Sequence, residues 1–236
     1  MTDWVRIAAV RAGTQTSVLQ GRFVERPHRF AARVELPGGE VVEAHVPNPG
    51  RLTGVLAPGC RVAVEGPLPP PRTLRYTMLG ARVRRTWIGT VTTYANRVFP
   101  ALLAAGLFPE LGAVETRREV VHGRSRFDFE ILGRFVEVKS VSLARGSAGL
   151  FPDAVTARGA RHCDELAALA RRRRPAAIVF VAQRGDVASV APEDDIDPAF
   201  GQSLRAAARA GVLVLACALD MTPAAARAAR RLPVIL

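Results

Sequence analysis

The sequence has few cysteines, few aromatic residues and no long apolar run. Its three cysteines, Cys60, Cys163 and Cys217, are far apart and form no C-x-x-C pair, which leaves a zinc site and a disulfide framework unsupported. The apolar stretches AAIVFVA and GVLVLACAL are too short to span a bilayer, and the N-terminus lacks the apolar run of a signal peptide. Because only 6% of the residues are aromatic, few side chains are available to stack on the bases of a nucleic acid. We therefore expect a cytoplasmic protein with no membrane partner.

Lysine is almost absent. Lys139, in the stretch FVEVKSV, is the only lysine of the chain, and the other 32 of the 33 Lys and Arg residues are arginine. Lysine carries a compact, strongly hydrated ammonium, whereas the arginine guanidinium is planar and always protonated. Because arginine serves wherever charge alone is needed, the one retained lysine marks a candidate functional position.

Positive charge is in large excess. The net charge is +12 and the pI is near 11.3, a balance that indicates a polyanionic partner. Without a membrane span, nucleic acid is favoured over an anionic membrane surface. We expect DNA as the partner, leave RNA and single strands open, and note that association with the nucleoid fits. Plain solubility is the alternative explanation, and the sequence does not indicate an oligomeric state.

Two kinds of pattern divide the chain near residue 90. Residues 1–90 hold five short strand candidates separated by Gly- and Pro-rich turns, which is typical of a small OB-like β-barrel that binds nucleic acid. Residues 91–236 follow the order α-β-β-β-α-β and then α-β-α, which predicts an α/β domain with a mixed sheet. The predicted elements include a helix over 92–108 bent near Pro100, strands over 115–122, 125–132 and 135–141, a helix with Pro152 in its first turn, and a short helix from Thr222.

The three consecutive strands can be put in register from their turns. We take Gly123-Arg124 and Gly133-Arg134 as two-residue hairpin loops, because glycine suits the position that needs positive φ. Directly opposed residues share a face of the sheet, and so do residues two apart. The predicted pairs are His122 with Ser125, Glu119 with Asp128, Asp128 with Lys139, and Glu130 with Glu137.

This register gives the three strands one charged face and one apolar face. The charged face carries Arg117, Glu119, Asp128, Glu130, Glu137 and Lys139, and the apolar face carries Val120, Phe127, Phe129, Ile131, Val136 and Val138. One interpretation is a solvated face with cross-strand ion pairs. The other is a functional site, because helices usually cover both faces of an α/β sheet and clustered carboxylates need a cation.

Two acids and a lysine on adjoining strands are typical of a metal-dependent phosphodiester hydrolase. The carboxylates of Asp128 and Glu137 are hard oxygen ligands that suit Mg²⁺ or Mn²⁺. Such ions polarise the phosphate and activate water. The ammonium of Lys139 would position the water or stabilise the transition state.

Nine blocks of the chain, spread over about residues 20–235, resemble the sugar fermentation stimulation protein A family. In chain order they are GRFVERPHRF, HVPNPGRL, ANRVFPALL, RREVVHGRSRFDFEIL, VEVKSVSL, FPDAVTARGARHCDEL, FVAQRGD, DIDPAF and AGVLVLA. The resemblance implies an OB-like barrel followed by a restriction-endonuclease-like αβββαβ domain of the PD-(D/E)XK kind over residues 91–236. It also implies non-specific DNA binding, with a link to the regulation of sugar use.

Carried over by position, the resemblance assigns the catalytic group. Asp128 is the first acid, Glu137 and Lys139 are the E-x-K triplet, and Glu119 is a further acid. The chain departs from the family pattern at Pro49, where threonine is usual, and at Ala157, where an acid is more common. The resemblance leaves activity unsettled, so the alternative function is a non-catalytic DNA-binding regulatory factor in sugar metabolism.

Six further residues are predicted to contact nucleic acid. Some lie in the loop HVPNPGR, which is otherwise a plain turn, and two lie one helical turn apart on the helix after residue 153, where a packed histidine is the alternative. The six are Arg22, Asn48, Arg51, Arg126, Arg158 and His162.

Overall fold

The computed structural model of the chain describes residues 5–6, 17–112, 115–123 and 125–236. The strands of its first part are β1 (Val5–Arg6), β2 (Ser17–His28), β3 (Ala31–Glu35), β4 (Val41–His45), β5 (Arg61–Gly66), β6 (Tyr76–Val83) and β7 (Thr86–Gly89). In this part, buried and exposed residues alternate along β3 and β4, as expected for a sheet with one face on a core.

The barrel closes on itself through β4. This strand pairs antiparallel with β3 and in parallel with β6, while β2 joins β3 to β5 and β5 joins β6. Closure removes the exposed strand edges that an open sheet would present. The interior is filled by small and branched side chains, among them Val34, Ala44, Val62, Val64 and Met78, all 0% exposed. This is the small five-stranded barrel that the sequence predicts.

The second part has helices on both faces of a mixed sheet. Its elements are α1 (Tyr94–Ala104), β8 (Arg117–His122), β9 (Ser125–Ile131), β10 (Arg134–Val141), β11 (Leu143–Arg145), β12 (Ala148–Phe151), α2 (Ala157–Arg171), β13 (Ala176–Ala182), β14 (Ser189–Pro192), α3 (Pro198–Arg209), β15 (Leu213–Met221) and β16 (Ala225–Leu232). None of the helices in the described part of the chain is long and apolar enough to cross a membrane.

The central sheet runs in the order β7-β15-β13-β10-β9-β8. The strands β10, β13 and β15 are parallel, and β13 is buried along its whole length, as a strand with helices on both faces requires. Helix α1 covers one face, where Phe99 packs on Phe129 with ring centroids 4.9 Å apart. Helices α2 and α3 cover the other, where Leu166 and Phe200 join the cluster around Phe180. The predicted fold class, a barrel followed by a mixed α/β domain, is confirmed.

Several predicted elements are wrong in detail. The short helix expected from Thr222 is instead the strand β16, which pairs antiparallel with β15. Helix α1 runs through Pro100 and ends at Ala104 instead of residue 108. Helix α2 begins at Ala157, not near Pro152, because the hydroxyl of Thr156 accepts a hydrogen bond from Gly159 N and caps the helix there.

The turn between β9 and β10 also differs from the prediction. Leu132 and Gly133 both have positive φ, at 47° and 77°, and form the two-residue turn, so Arg134 pairs with Ile131 and Phe135 with Glu130. The expected pairs Glu130 with Glu137 and Asp128 with Lys139 are therefore wrong. The slip amounts to two residues, so by itself it does not change which side chains share a face, because side chains alternate with period two.

Before this turn, the observed pairing agrees with the prediction. His122 pairs with Ser125, as expected, although Arg124 in the intervening loop lies outside the described residues.

Neither face of the three strands is purely apolar or purely charged. Phe129, Val136 and Val138 pack under α1, whereas Phe127 packs with Phe135 on the side of α2. The alternation of β9 breaks at Asp128, which lies between Phe127 and Phe129. The predicted apolar face is thus divided between the two helical layers, and Asp128 lies at the break.

Candidate active site

Glu137 is a buried carboxylate in the middle of β10. Its side chain is only 6% exposed, and its Oε1 lies 2.6 Å from Lys139 Nζ and 2.6 Å from His162 Nδ1. Among the described residues, nothing hydrogen-bonds to Oε2, although this atom is also buried. A buried carboxylate oxygen without a donor is costly, so Oε2 of Glu137 is an unused ligand position.

The two side chains beside Glu137, His162 and Lys139, decide its charge. Burial acts to raise the pKa of Glu137, but contact with His162 and with Lys139 outweighs it, so the pKa lies below its ordinary value. Nε2 of His162 accepts a 3.4 Å hydrogen bond from Arg158 Nε, which leaves the proton of a neutral ring on Nδ1, facing Glu137. Glu137 is therefore ionised and held in place from both sides.

Asp128 lies where the ladder between β9 and β10 opens. Its Oδ2 accepts a 2.8 Å hydrogen bond from Val138 N, and its Oδ1 accepts one of 2.5 Å from Asn96 Nδ2 on α1. Burial, together with the nearby charge of Glu137, raises the pKa of Asp128 to about 6. The two carboxylates thus have pKa values displaced in opposite directions, a pattern that is common at functional sites.

The carboxylates of Asp128 and Glu137 fit a hard divalent cation. The orphaned Oε2 of Glu137 offers a ligand, and a cation would offset the burial and the repulsion from Glu137 that raise the pKa of Asp128. No group of three or more His, Cys, Asp or Glu that could hold a metal is present among the described residues. This donor set suits Mg²⁺ or Mn²⁺ with several retained waters, since Mg²⁺ is commonly held by one or two carboxylates.

Gln183 joins β10 to the start of the second domain. Its side chain is 0% exposed, and its Nε2 donates to Ser140 Oγ at 2.7 Å and to Val91 O at 2.8 Å. Ser140 directly follows Lys139 on β10. Gln183 therefore braces the strand that carries the lysine and does not itself reach into an open cleft.

Glu119 is not brought to this site. Its φ is +57°, which interrupts β8, and its Oε2 lies 2.8 Å from Arg126 Nε with both side chains more than half exposed. Like the contact between Arg117 and Glu130, this is a solvent-exposed ion pair of small energetic value. The interpretation of the charged face as surface ion pairs thus fits its members Arg117, Glu119 and Glu130.

Two of the predicted nucleic-acid contacts are buried, and we correct them. His162 is 1% exposed and packs edge-on against Phe127, so it orients Glu137 and cannot touch a polymer. Asn48 is 3% exposed, and its Oδ1 accepts a hydrogen bond from Gly50 N, as Asn does in a turn. Burial of these polar side chains could not be read from the local pattern.

The loop that contains Asn48 is held by a residue not singled out from the sequence. Arg26 donates to the backbone oxygens of Asn48, Gly50 and Arg51 at 2.8–3.0 Å. The carboxylate of Asp153 lies directly against Gly50 from the second domain, close enough that a Cβ at this position would overlap it. The loop is therefore fixed to both domains.

The other predicted contacts remain accessible. Arg22, Arg51, Arg126 and Arg158 are all exposed. Arg51 lines an open pocket of about 470 Å³ between the barrel and the segment before α2, together with Arg26 and Arg29. Such a basic depression has the charge that a phosphate backbone requires.

A closed five-stranded barrel joined to a mixed α/β domain, with an acid–lysine group at the centre of the sheet, defines a two-domain protein of the OB-barrel plus α/β class. Family models match both parts: the "SfsA N-terminal OB domain" over residues 24–90 and the "Sugar fermentation stimulation protein RE domain" over residues 93–225. The chain belongs to the sugar fermentation stimulation protein family.

Individual relatives support this membership. A "Sugar fermentation stimulation protein homolog" from Cyanothece sp. is 42% identical over 217 residues, covering 87% of this chain and 90% of the relative. Another from Geobacter metallireducens is 41% identical over 228 residues, covering 94% and 98%. The solved structure of Pyrococcus furiosus SfsA in complex with Ca²⁺ is 27% identical, with a TM-score of 0.85 over 100% of both chains.

Proposed function

We propose that this protein binds nucleic acid without sequence preference and cleaves phosphodiester bonds with Mg²⁺ or Mn²⁺ at the site of Asp128, Glu137 and Lys139. The single observation that carries this proposal is the buried Oε2 of Glu137, which has no donor among the described residues beside the only lysine of the chain. A structural ion pair would satisfy both oxygens, whereas a ligand position must leave one available.

The residues around this site have separable roles. Asp128 and Glu137 would hold the cation, which supplies charge to polarise a phosphate oxygen. Lys139 has three N–H donors and directs one at Glu137, so the others can contact a phosphate oxygen or the attacking water. His162 keeps Glu137 ionised and oriented, and Asn96 fixes Asp128. Lys139 is thus both a partner of Glu137 and a candidate catalytic group.

The solved Pyrococcus furiosus relative supports the choice of cation. That protein was solved in complex with Ca²⁺, which takes oxygen ligands as Mg²⁺ does but with longer, more flexible coordination. The same two carboxylates of this chain would therefore accept Ca²⁺, and we expect it to compete with Mg²⁺.

Binding of the polymer is proposed to use the exposed arginines of both domains. The net charge of +12 favours any polyanion, and Arg51 and Arg158 are exposed on the barrel loop and on α2. Contacts to phosphate carry no sequence information, so binding of this kind is non-specific and falls steeply with salt. Replacing Arg51 by Ala should reduce the slope of log K against log salt by about one.

The cleavage proposal is tested with plasmid DNA, single-stranded DNA and RNA in Mg²⁺ or Mn²⁺. We expect Lys139→Ala and Asp128→Asn each to lower the cleavage rate by about 100-fold or more. Lys139→Arg should lose activity as well, because the planar guanidinium does not fit a position built for an ammonium.

Glu130→Gln is the matched control for Asp128→Asn. Glu130 lies two residues away on the same strand but pairs with the exposed Arg117, so its loss should leave the rate unchanged. Equal activity of wild type and Lys139→Ala, or no cleavage of any substrate tried, would overturn the catalytic proposal.

The second candidate is a DNA-binding regulatory factor in sugar metabolism that performs no chemistry. The observation that favours it is the small number of metal donors, two carboxylates without a third acidic or histidine ligand in the described part of the chain. Calorimetric titration with Mn²⁺ separates the candidates. A Mn²⁺ site that disappears in Asp128→Asn supports the enzyme, and DNA binding without any such site supports the regulatory factor.

A further inference from the structure

A second cavity lies between the barrel and the start of α1, apart from the carboxylate site. Its volume is about 250 Å³, and its walls come from β4, β5 and β6, from the proline-rich segment after β5, and from the first turn of α1. Pockets for drug-sized ligands usually measure ~300–1,000 Å³. The volume of this cavity lies just below that range, so the cavity can hold one small molecule or one unit of a polymer.

The lining of this cavity combines flat apolar surface with charge. Four prolines form part of its wall, and Arg72 and Arg97 bring two guanidinium groups to it. Glu65, which is 4% exposed, places a carboxylate in the same lining, and Thr77 adds a hydroxyl. Burial lowers the pKa of the neighbouring His45, and the charge of Arg72 lowers it further. With two guanidinium groups and one carboxylate in the lining, the cavity has an excess of positive charge that favours an anionic ligand.

We propose that this cavity binds a single nucleoside phosphate. The proline rings offer flat surfaces for a base or a ribose, and the guanidinium groups suit a phosphate, which arginine recognises with two parallel donors. The carboxylate of Glu65 can accept hydrogen bonds from the N–H groups of a base, since a carboxylate has about four acceptor positions. An aliphatic acid or inorganic phosphate would use only part of this surface.

Two hydrogen-bonded connections join the cavity to the carboxylate site. Thr93 and Arg97 line the cavity, and Asn96, which lies between them in sequence, donates to Asp128 Oδ1. Val91 also lines the cavity, and its carbonyl accepts a hydrogen bond from Gln183, the residue that braces β10 next to Lys139. A ligand that shifts the first turn of α1 would therefore move Asp128 as well.

The bound unit has two sources with the same chemistry, a free nucleotide or a nucleotide of a bound strand. The inference goes beyond cleavage and does not depend on it, because binding is measured without metal. Calorimetry on the full chain in EDTA compares AMP and GMP with inorganic phosphate and with a short single-stranded oligonucleotide. We expect the mononucleotides to bind about tenfold more tightly than phosphate.

Two variants test whether binding occurs in this cavity. Thr77→Phe fills it, and Arg72→Ala removes a guanidinium group from its rim. Each should weaken nucleotide binding about tenfold. Arg209→Ala, which removes an exposed arginine at the end of α3, is the matched control for lost charge and should change nothing. Circular dichroism checks folding, and Arg72→Ala carries the test if Thr77→Phe does not fold.

The outcomes are distinct. If both variants weaken the binding of AMP or GMP, the ligand is a free nucleotide. If the variants weaken only the binding of the oligonucleotide, the ligand is a nucleotide of a bound strand. If neither affinity responds to either variant, or if phosphate binds as tightly as the nucleotides, the proposal is overturned, whatever the outcome of the cleavage assays.

Discussion

Lys139 Nζ lies 2.6 Å from Oε1 of Glu137, two residues earlier on the same strand. Nδ1 of His162 approaches the same oxygen to 2.6 Å from α2. All three side chains are at most 12% exposed. Lys139 thus donates to one oxygen of a buried carboxylate, with the imidazole close beside it, while the other oxygen has no donor among the described residues. This asymmetry distinguishes a ligand position from an ordinary buried ion pair, whose members satisfy each other.

His162 should stabilise the charge of Glu137. Replacing it by Leu removes one of the two donors and leaves a buried carboxylate less compensated, so we expect a loss of about 2–3 kcal/mol in the free energy of unfolding. His162→Asn, whose amide can replace Nδ1–H, should recover part of the loss. Urea denaturation measures both variants.

A double-mutant cycle separates this role from simple packing. If His162 acts through the charge of Glu137, then His162→Leu should cost much less in a Glu137→Gln background than in the wild type. Equal costs in the two backgrounds would mean that the imidazole only fills space between Phe127 and α2.

Asp128 should make the metal-free protein less stable as the pH rises. Its pKa is about 6 in the folded chain, against an ordinary value of 3.8, so between these values the folded state holds a proton that the unfolded state has lost. The stabilisation that comes from this extra proton is fully present below about pH 4, declines as the pH rises to about 6 and is absent above. Through Asp128 alone, the free energy of unfolding should be about 1 kcal/mol lower at about pH 7 than at about pH 5.

The comparison with Asp128→Asn isolates this effect. The variant cannot ionise at this position, so its stability in EDTA should lack this part of the pH dependence while all other groups contribute equally. Urea melts of both proteins at the two pH values give the difference. Parallel curves for the two proteins would show that Asp128 ionises normally.

Part of the site could be predicted from the sequence because of strand periodicity. Glu137 and Lys139 are two residues apart on one strand, so they share a face whatever the register is. The predicted turn lies one residue too far along the chain, which shifts the pairing by two residues and does not change which side chains share a face. For this reason the sequence places Asp128 near the lysine even though the partner that it predicts for Asp128 is wrong.

The remaining features depend on tertiary packing, which local patterns do not encode. Asn96 and His162 reach the carboxylates from two different helices, and neither has a sequence signal beyond its helix. The segment from Ala225 is rich in helix-forming Ala and Arg, yet it forms β16 because β15 offers an unpaired edge. The break in alternation at Asp128 exists because its carboxylate, and not a backbone carbonyl, accepts Val138 N.

Leu132 tests the corrected turn. It is 77% exposed and has a φ of +47°, a conformation that asparagine adopts far more easily than leucine. Leu132→Asn creates the Asn-Gly pair preferred in such two-residue hairpins, so we expect a gain of about 0.5–1 kcal/mol in the free energy of unfolding. Leu132→Val, with a β-branched side chain at the same φ, should lose stability. A loss in the asparagine variant would favour the originally predicted turn.

Gly50 and Asp153 test the contact between the barrel loop and the second domain. Gly50 has an ordinary φ, so only space forbids a larger residue, because a Cβ there would overlap the carboxylate of Asp153. We expect Gly50→Ala to cost about 1–3 kcal/mol by overpacking. Gly185→Ala, whose Cβ would come no closer than 3.5 Å to its neighbours, is the matched control and should cost less. Combining Gly50→Ala with Asp153→Ala removes the obstacle and should restore part of the loss. An unchanged cost in this double variant would mean that the loop is fixed by Arg26 alone, without the second domain.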